Sequence, residues 1–255
     1  ELNMDEVIDQ YWQAGRILSD RIGDVRDFLL DSTRRGRTVV AEFGQAYWLD
    51  KRHGFTPNVT ASHTTGAELF LSGGIPLQPM NEIGCCKAYD TKVGTHHFIT
   101  QIDHLIDPWG KKLAKLEFGT STGRQRMVGW FDAVEKGNAL RYGGFDQIVI
   151  NKLDALTLDP SVPSEIKLCV AYQLPNGEIT RDVPRDESLR MKLKPVWETH
   201  PGWKEDLRGV RSFHQLPDAA QSYVARMISS IVESAYPNGF SRASRQGRSE
   251  EHTSE

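Results

Sequence analysis

Cysteine is scarce: Cys85, Cys86 and Cys169 are the only three in 255 residues. Two are adjacent, and neighbouring side chains on a strand point to opposite faces, so no disulfide framework of the kind that staples small secreted domains is available. No Cys/His spacing suits zinc, and the thiols read as buried and reduced, the usual state in the cytoplasm. Also lacking is any apolar run approaching the ~18 residues that cross a bilayer. Positive charge is not in excess: the formal net charge is -3, so no basic field invites nucleic acid. The first residues, "ELNMDEVIDQYW", are acidic and polar and lack the apolar stretch of a signal peptide. They also lack an initial methionine, which leads us to expect a piece of a longer protein.

What is present suits a globular core. The chain is 38% hydrophobic, enough for one or two domains. Residues 4–37 carry Val7, Ile8, Tyr11, Trp12, Leu18, Ile22, Val25, Phe28, Leu29 and Leu30 at spacings dominated by three and four, which predicts an amphipathic helix stopped at Gly36. Short apolar runs at 38–43, 83–90, 147–153 and 166–172 read as buried strands. A helix is predicted across 129–144, a hairpin around "LPNGEIT", and a final helix over 216–235 with Pro217 near its start. Helices alternating with apolar strands indicate an α/β protein with a mostly parallel central sheet flanked by helices.

Two stretches carry chemistry. Asn151-Lys152-Leu153-Asp154 has the form N-K-x-D at the end of a predicted strand. Guanine offers two adjacent N–H donors, and an ionised Asp154 is a fork of acceptors that takes both; adenine offers no such pair. The stem of Lys152 can cover the base face, and ligands of open α/β sheets sit at the carboxyl ends of strands. On these four residues alone, a solvated strand-to-loop turn reads as well. The second stretch, "LEFGTSTGRQRMVGWFD" (116–132), sets three small hydroxyls between glycines, then two arginines, then a helix. By itself it also fits a helix-capping turn with surface arginines.

Several stretches then follow in one order: "EFGQAYWLDKRHGFTPNVTASHTTGA" (42–67), "CKAYDTKVG" (86–94), "EFGTSTGRQRMVGWFD" (117–132), "NKLDAL" (151–156), "IKLCVAYQLPNG" (166–177) and "WETHPGWKED" (197–206) with "GVRSFHQLPDAAQSYV" (209–224). Together they resemble the C-terminal part of the adenylosuccinate synthetase family, from about Met4 to Val232. That family joins IMP and L-aspartate at the expense of GTP in purine biosynthesis. Its fold is P-loop-NTPase-like, and it uses Mg2+ and works as a cytoplasmic homodimer. The implied chemistry has two steps: GTP phosphorylates the 6-oxygen of IMP, and the aspartate amine then displaces phosphate. Neither a membrane nor a nucleic acid is a partner.

The resemblance also implies roles. Thr120, Ser121, Thr122, Gly123, Arg124, Gln125 and Arg126 match the aspartate loop, with Arg124 also reaching IMP and Arg126 on the GTP side. Lys152, Leu153 and Asp154 match the GTP site. Gln45 matches the glutamine that polarises the IMP 6-oxygen and is the one catalytic side chain carried over. Thr60 matches a threonine on the IMP phosphate, although a plain strand hydroxyl is the bland alternative. Val93 and Gly94 line the nucleotide pocket. Departures occur beside Gln45 (Phe43, Ala46), at His63 in place of Asn, and at Asp90 and Lys92. The family's glycine-rich phosphate loop, with its acid, base and magnesium contacts, has no counterpart here, so the Mg2+ ligands are expected on a missing N-terminal part, none of the present residues is a metal ligand, and the chain alone is expected to be inactive. Residues 1–240 are read as one partial domain and 241–255 as a disordered tail, of which 248–255 looks like a translated sequencing adapter. Two rivals stay open: a phage-type synthetase that joins aspartate to dGMP, forming 2-aminoadenylosuccinate, and a guanine-nucleotide-binding regulatory module.

Overall fold

The computed structural model describes residues 2–94, 96, 98–120 and 123–238. Ser121, Thr122 and the expected tail lie outside the described residues. The chain divides into two compact units, one running to Gly44 and including Thr64–Pro79, the other holding Gln45–His63 and Met80 onward.

In the first unit the single predicted helix is two helices: α1 (Met4–Leu18) and α2 (Val25–Arg34). The break has a local cause. Ile22 is extended, Gly23 is a poor helix former, and the Asp24 carboxylate accepts from the Arg26 N–H to cap a new start. α2 is closed by Gly36 at φ +71°, as expected. No residue of α1 is buried, so its apolar stripe makes the sequence pattern without a core to face. The predicted strand at 38–43 is not one. No described strand pairs with it, and an unpaired strand leaves its backbone groups to water; Val40 is exposed. A short α3 (Glu68–Gly73) ends at Gly74, φ +62°, where an added Cβ would meet the Arg26 side chain at 2.8 Å.

The second unit carries the sheets. Strand β1 (Ile83–Lys87) pairs in parallel with a later strand, and its register puts Lys87 beside Asn151. β2 (Asp90–Lys92) and β3 (Gln101–Ile102) flank a short strand antiparallel to both. α4 (Pro108–Ala114) starts with proline behind an Asp107 cap. β4 (Met127–Gly129) is the middle strand of that three-stranded sheet, and β5 (Phe131–Asp132) runs straight into α5 (Ala133–Gly143). The start of the predicted 129–144 helix is therefore strand, because Phe131 and Asp132 pair with Leu168 and Cys169. β6 (Gln147–Asn151) is the partner of β1. β7 (Glu165–Gln173) is parallel to β5, and antiparallel to β8 (Ile179–Thr180), across the expected hairpin, and to β9 (Lys194–Pro201). Between β8 and β9 lies α6 (Glu187–Arg190), and α7 (Asp218–Ala235) closes the chain.

The core sits where β5 and β7 meet the helices: Phe131, Leu168, Ile166, Leu113, Tyr223 and Met227 are fully enclosed. Ala220, Tyr223, Met227, Ser230, Ile231 and Ser234 recur at helical spacing along α7, and that stripe is the buried one. Gly137 on α5 admits α7 at close range, since a Cβ there would stand 2.4 Å from the Ser234 Cβ. The three cysteines are free: Cys85 exposed, Cys86 half-buried, Cys169 buried. No helix among the described residues is long and apolar enough to cross a membrane.

Candidate functional site

The hydroxyl-glycine-arginine stretch is a loop on a short two-stranded base. Phe118 and Gln125 form an antiparallel bridge, the Arg126 N–H donates to the Glu117 carbonyl at 3.1 Å, and the Gly119 N–H to the Arg124 carbonyl at 2.8 Å. The Gly123 N–H then reaches back to the Gly119 carbonyl at 2.8 Å, which needs the left-handed backbone (φ +62°) that glycine supplies at little cost. Thr120 and Arg124 are exposed at the tip. Gln125 is turned the other way: its amide donates to the carbonyls of Ala114 (2.9 Å) and Glu117 (2.7 Å), closing the base.

Beneath the base, Arg126 joins three side chains that sequence reading passed over. The Glu117 carboxylate, 3% exposed, accepts from Lys87 Nζ through both oxygens at 2.7 Å, from the Tyr89 hydroxyl at 2.6 Å, and from Arg126 Nη1 at 3.3 Å. Burial alone would raise its pKa. The hydrogen bonds from Lys87 and Tyr89, with the charges of Lys87 and Arg126, more than offset that and hold it below the ordinary range. Burial, then the hydrogen bond to Glu117, pushes the Tyr89 phenol well up. Lys87 ends β1 and Tyr89 lies in the bend just after it, so no strand alternation announces that both reach Glu117.

The N-K-x-D turn stands at the same end of the parallel pair. Asn151 ends β6 beside Lys87, and its carbonyl accepts from the Ala88 N–H at 2.8 Å. Lys152 adopts φ +61°, the one described non-glycine residue in the left-handed region, and turns the chain into a 3-10 helix over Leu153–Leu156. Asp154 is exposed, and its charge acts on Tyr89 and Arg208. Lys152, Asp154, Arg126 and the loop are thus gathered around the carboxyl ends of β1 and β6.

Gln45 and Thr60 belong to a second closed loop. The Thr60 N–H donates to the Leu49 carbonyl at 2.8 Å and the Lys51 N–H to the Ser62 carbonyl at 3.1 Å, which lays the two limbs side by side. Gln45 is exposed and accepts from the Ser62 hydroxyl at 3.4 Å; Thr60 is half-buried. Asp50, fully buried, accepts from the N–H groups of Arg52 and His53, and His63 Nδ1 lies 3.6 Å from it. The Trp48 indole N–H donates to the Glu135 carbonyl at 2.9 Å and fastens this loop to α5. Val93 is exposed just past β2.

Two departures from the family pattern are absorbed inside the fold. Asp90 pairs with Lys136 and accepts from the Asp132 N–H at 3.0 Å; Lys92 pairs with Glu135 at 3.2 Å between the rings of Phe55 and Phe98. Asp132 caps α5 through the N–H groups of Val134 and Glu135, both at 3.0 Å. Among the described residues no group of three or more His, Cys, Asp or Glu side chains is gathered to hold a metal ion.

The family model for adenylosuccinate synthetase matches residues 1–236. Adenylosuccinate synthetase of Bacillus cytotoxicus is 36% identical over 226 residues, 88% of this chain and 51% of that protein. The Parafrankia sp. synthetase is 38% identical over 229 residues, 89% of this chain and 52% of that one. A structure of fully ligated adenylosuccinate synthetase from Plasmodium falciparum superposes with a TM-score of 0.81 at 30% identity, covering 91% of this chain and 54% of that one. The chain spans about half the length of the curated relatives it matches.

Proposed function

The chain belongs to the adenylosuccinate synthetase family, and from that premise we propose that it supplies the aspartate loop, the guanine reader and part of the IMP wall of a GTP-dependent ligase that joins IMP and L-aspartate. The observation that carries this reading is the meeting of two separate motifs at one place: Glu117 bonds both Arg126 beside the loop and Tyr89 beyond β1, while the N-K-x-D turn leaves the neighbouring strand.

Each residue then has a task. Asp154 accepts from the two adjacent guanine N–H donors, and the Lys152 stem lies along the base. The exposed Arg124 guanidinium is a rigid two-pronged donor for the aspartate carboxylate, with Thr120, Ser121, Thr122 and the backbone at Gly123 closing around it. Gln125 contributes through the shape of the loop base. Arg126 neutralises charge on the GTP side. The Gln45 amide donates to the purine 6-oxygen as negative charge builds there, and Thr60 holds the IMP phosphate beside Val93. Phosphoryl transfer to that oxygen makes a leaving group, and the aspartate amine displaces it, so the protein's work is positioning and neutralisation.

Magnesium belongs to this reading; such an ion is held by one or two carboxylates together with the nucleotide phosphates, and among the described residues no group of three or more His, Cys, Asp or Glu side chains is gathered. A homodimer in the cytoplasm completes the proposal. The chain alone is expected to form no adenylosuccinate, because the family's phosphate loop, acid and base are not matched in its sequence.

Nucleotide choice tests the reading. In ligand-observed NMR titrations, GTP should bind more tightly than ITP, which lacks the 2-amino donor, and ATP should bind least. Asp154→Ala should cost roughly 10- to 100-fold for GTP, the equivalent of about 1.5–3 kcal/mol for a charged hydrogen bond. Equal binding of the three nucleotides would remove Asp154 from the guanine site.

A further inference from the structure

Resting on the functional reading above, we propose that Glu117 is a positioning residue: its carboxylate holds Arg126 at the nucleotide site and so fixes where the charge that meets GTP stands. The backbone does not need it for this. The Arg126 N–H to Glu117 carbonyl bond, the Phe118–Gln125 bridge and the Gln125 amide already close the loop base. The carboxylate is an addition to that ladder, buried to 3% exposure and ringed by donors from two separate segments.

Burying an ion is costly unless it is paired, so this acceptor holds its partners closely. Among the described residues Arg126 forms an ion pair only with Glu117. That contact takes one of the five guanidinium donors and leaves the side chain about one-third exposed. The Arg126 Nε–H is buried and has no partner among the described residues, so the guanidinium is not steered from its other edge. Lys87 is tied at the same time to the Thr91 hydroxyl at 3.1 Å, next to Asp90 on β2. Two cations against one anion leave the group with a surplus positive charge, which suits a phosphate-bearing ligand.

The experiment uses the full chain and GTP as the probe, with Glu117→Gln, Arg126→Leu and the double variant titrated side by side. Glu117→Gln keeps the shape and an acceptor for Tyr89 but removes the charge. It should weaken GTP roughly tenfold, within the range that a small misplacement of a binding group costs. If Glu117 acts through Arg126, the double variant should be no weaker than Arg126→Leu, because the same contact is lost once. Glu117→Asp, which keeps the charge, should recover part of the loss. A double variant that loses the product of the two single effects indicates general loosening of the fold and overturns the proposal. Should Glu117→Gln fail to fold, side-chain NMR of the wild-type chain decides: an Arg126 guanidinium whose rotation is slowed supports the assignment, and one that rotates freely overturns it. A wild-type chain that binds no guanine nucleotide brings down the functional reading and this proposal together. Wild-type binding that Glu117→Gln leaves unchanged brings down this proposal alone.

Discussion

Inside the second unit the Tyr172 hydroxyl donates to the Asp132 carboxylate at 2.6 Å, and both residues are almost wholly out of contact with water. Burial, helped by the negative charge of Glu135, pushes Asp132 up to about 7. An unfolded aspartate titrates near ~3.9. Between those values the folded chain keeps a proton that the unfolded chain releases, so the contribution of Asp132 to stability falls as pH rises from about 4 to 7. Asp132→Asn stays neutral and can still cap α5. The stability of the wild type relative to this variant should therefore drop across that window. Thermal melts of both at several pH values measure it, and parallel curves refute the assignment.

At Lys152 backbone and side chain have separable roles. Its left-handed conformation suits glycine and opposes β-branched residues. Lys152→Gly should fold about as stably as the wild type, whereas Lys152→Val should lose roughly 1–2 kcal/mol. If Lys152 covers the base as proposed, both should bind GTP more weakly, since both lose that stem. Denaturant titration beside nucleotide titration separates the two effects, and full GTP affinity in Lys152→Gly excludes the side chain from binding.

The contact of α5 with α7 leaves no room at Gly137. A Cβ there would meet the Ile231 carbonyl at 2.6 Å as well as Ser234. Gly137→Ala should cost at least 1–3 kcal/mol, roughly the cost of overpacking a core, despite alanine's better helix propensity. Unfolding in urea measures this; a stabilised variant would mean that the helices can part without penalty.

Arg124 is best tested in a chimera in which this chain replaces the matched half of the Bacillus cytotoxicus synthetase. Arg124→Leu should raise the aspartate KM roughly 10- to 100-fold, as expected for a lost charged hydrogen bond. The IMP KM should move less and the GTP KM least. Lysine should rescue poorly, because a point charge cannot reproduce the planar fork. Lower melting temperature with all three constants unchanged indicates a structural arginine instead.

Much of this was legible in the chain. The apolar runs at 147–153 and 166–172, the N-G turn before β8 and the stripe on α7 are local patterns, and local patterns report local structure. Asp154 and the glycine-hydroxyl-arginine loop could likewise be singled out as candidates, because an acceptor-only carboxylate and a guanidinium fork suit guanine and a carboxylate. What remained hidden depends on partners far along the chain. Residues 38–43 have the composition of a strand, but no strand among the described residues pairs with them. Residues 4–37 have the period of one helix, yet an Asp24 cap restarts it. Asp90 and Lys92 read as departures from a motif until Lys136 and Glu135, more than 40 residues away, are seen to neutralise them. Glu117 and Lys87 lie 30 residues apart, and nothing near either one signals the other. A one-dimensional pattern records which groups can bond; which of them do is decided when folding removes water from around them and leaves each buried charge only the partners within reach.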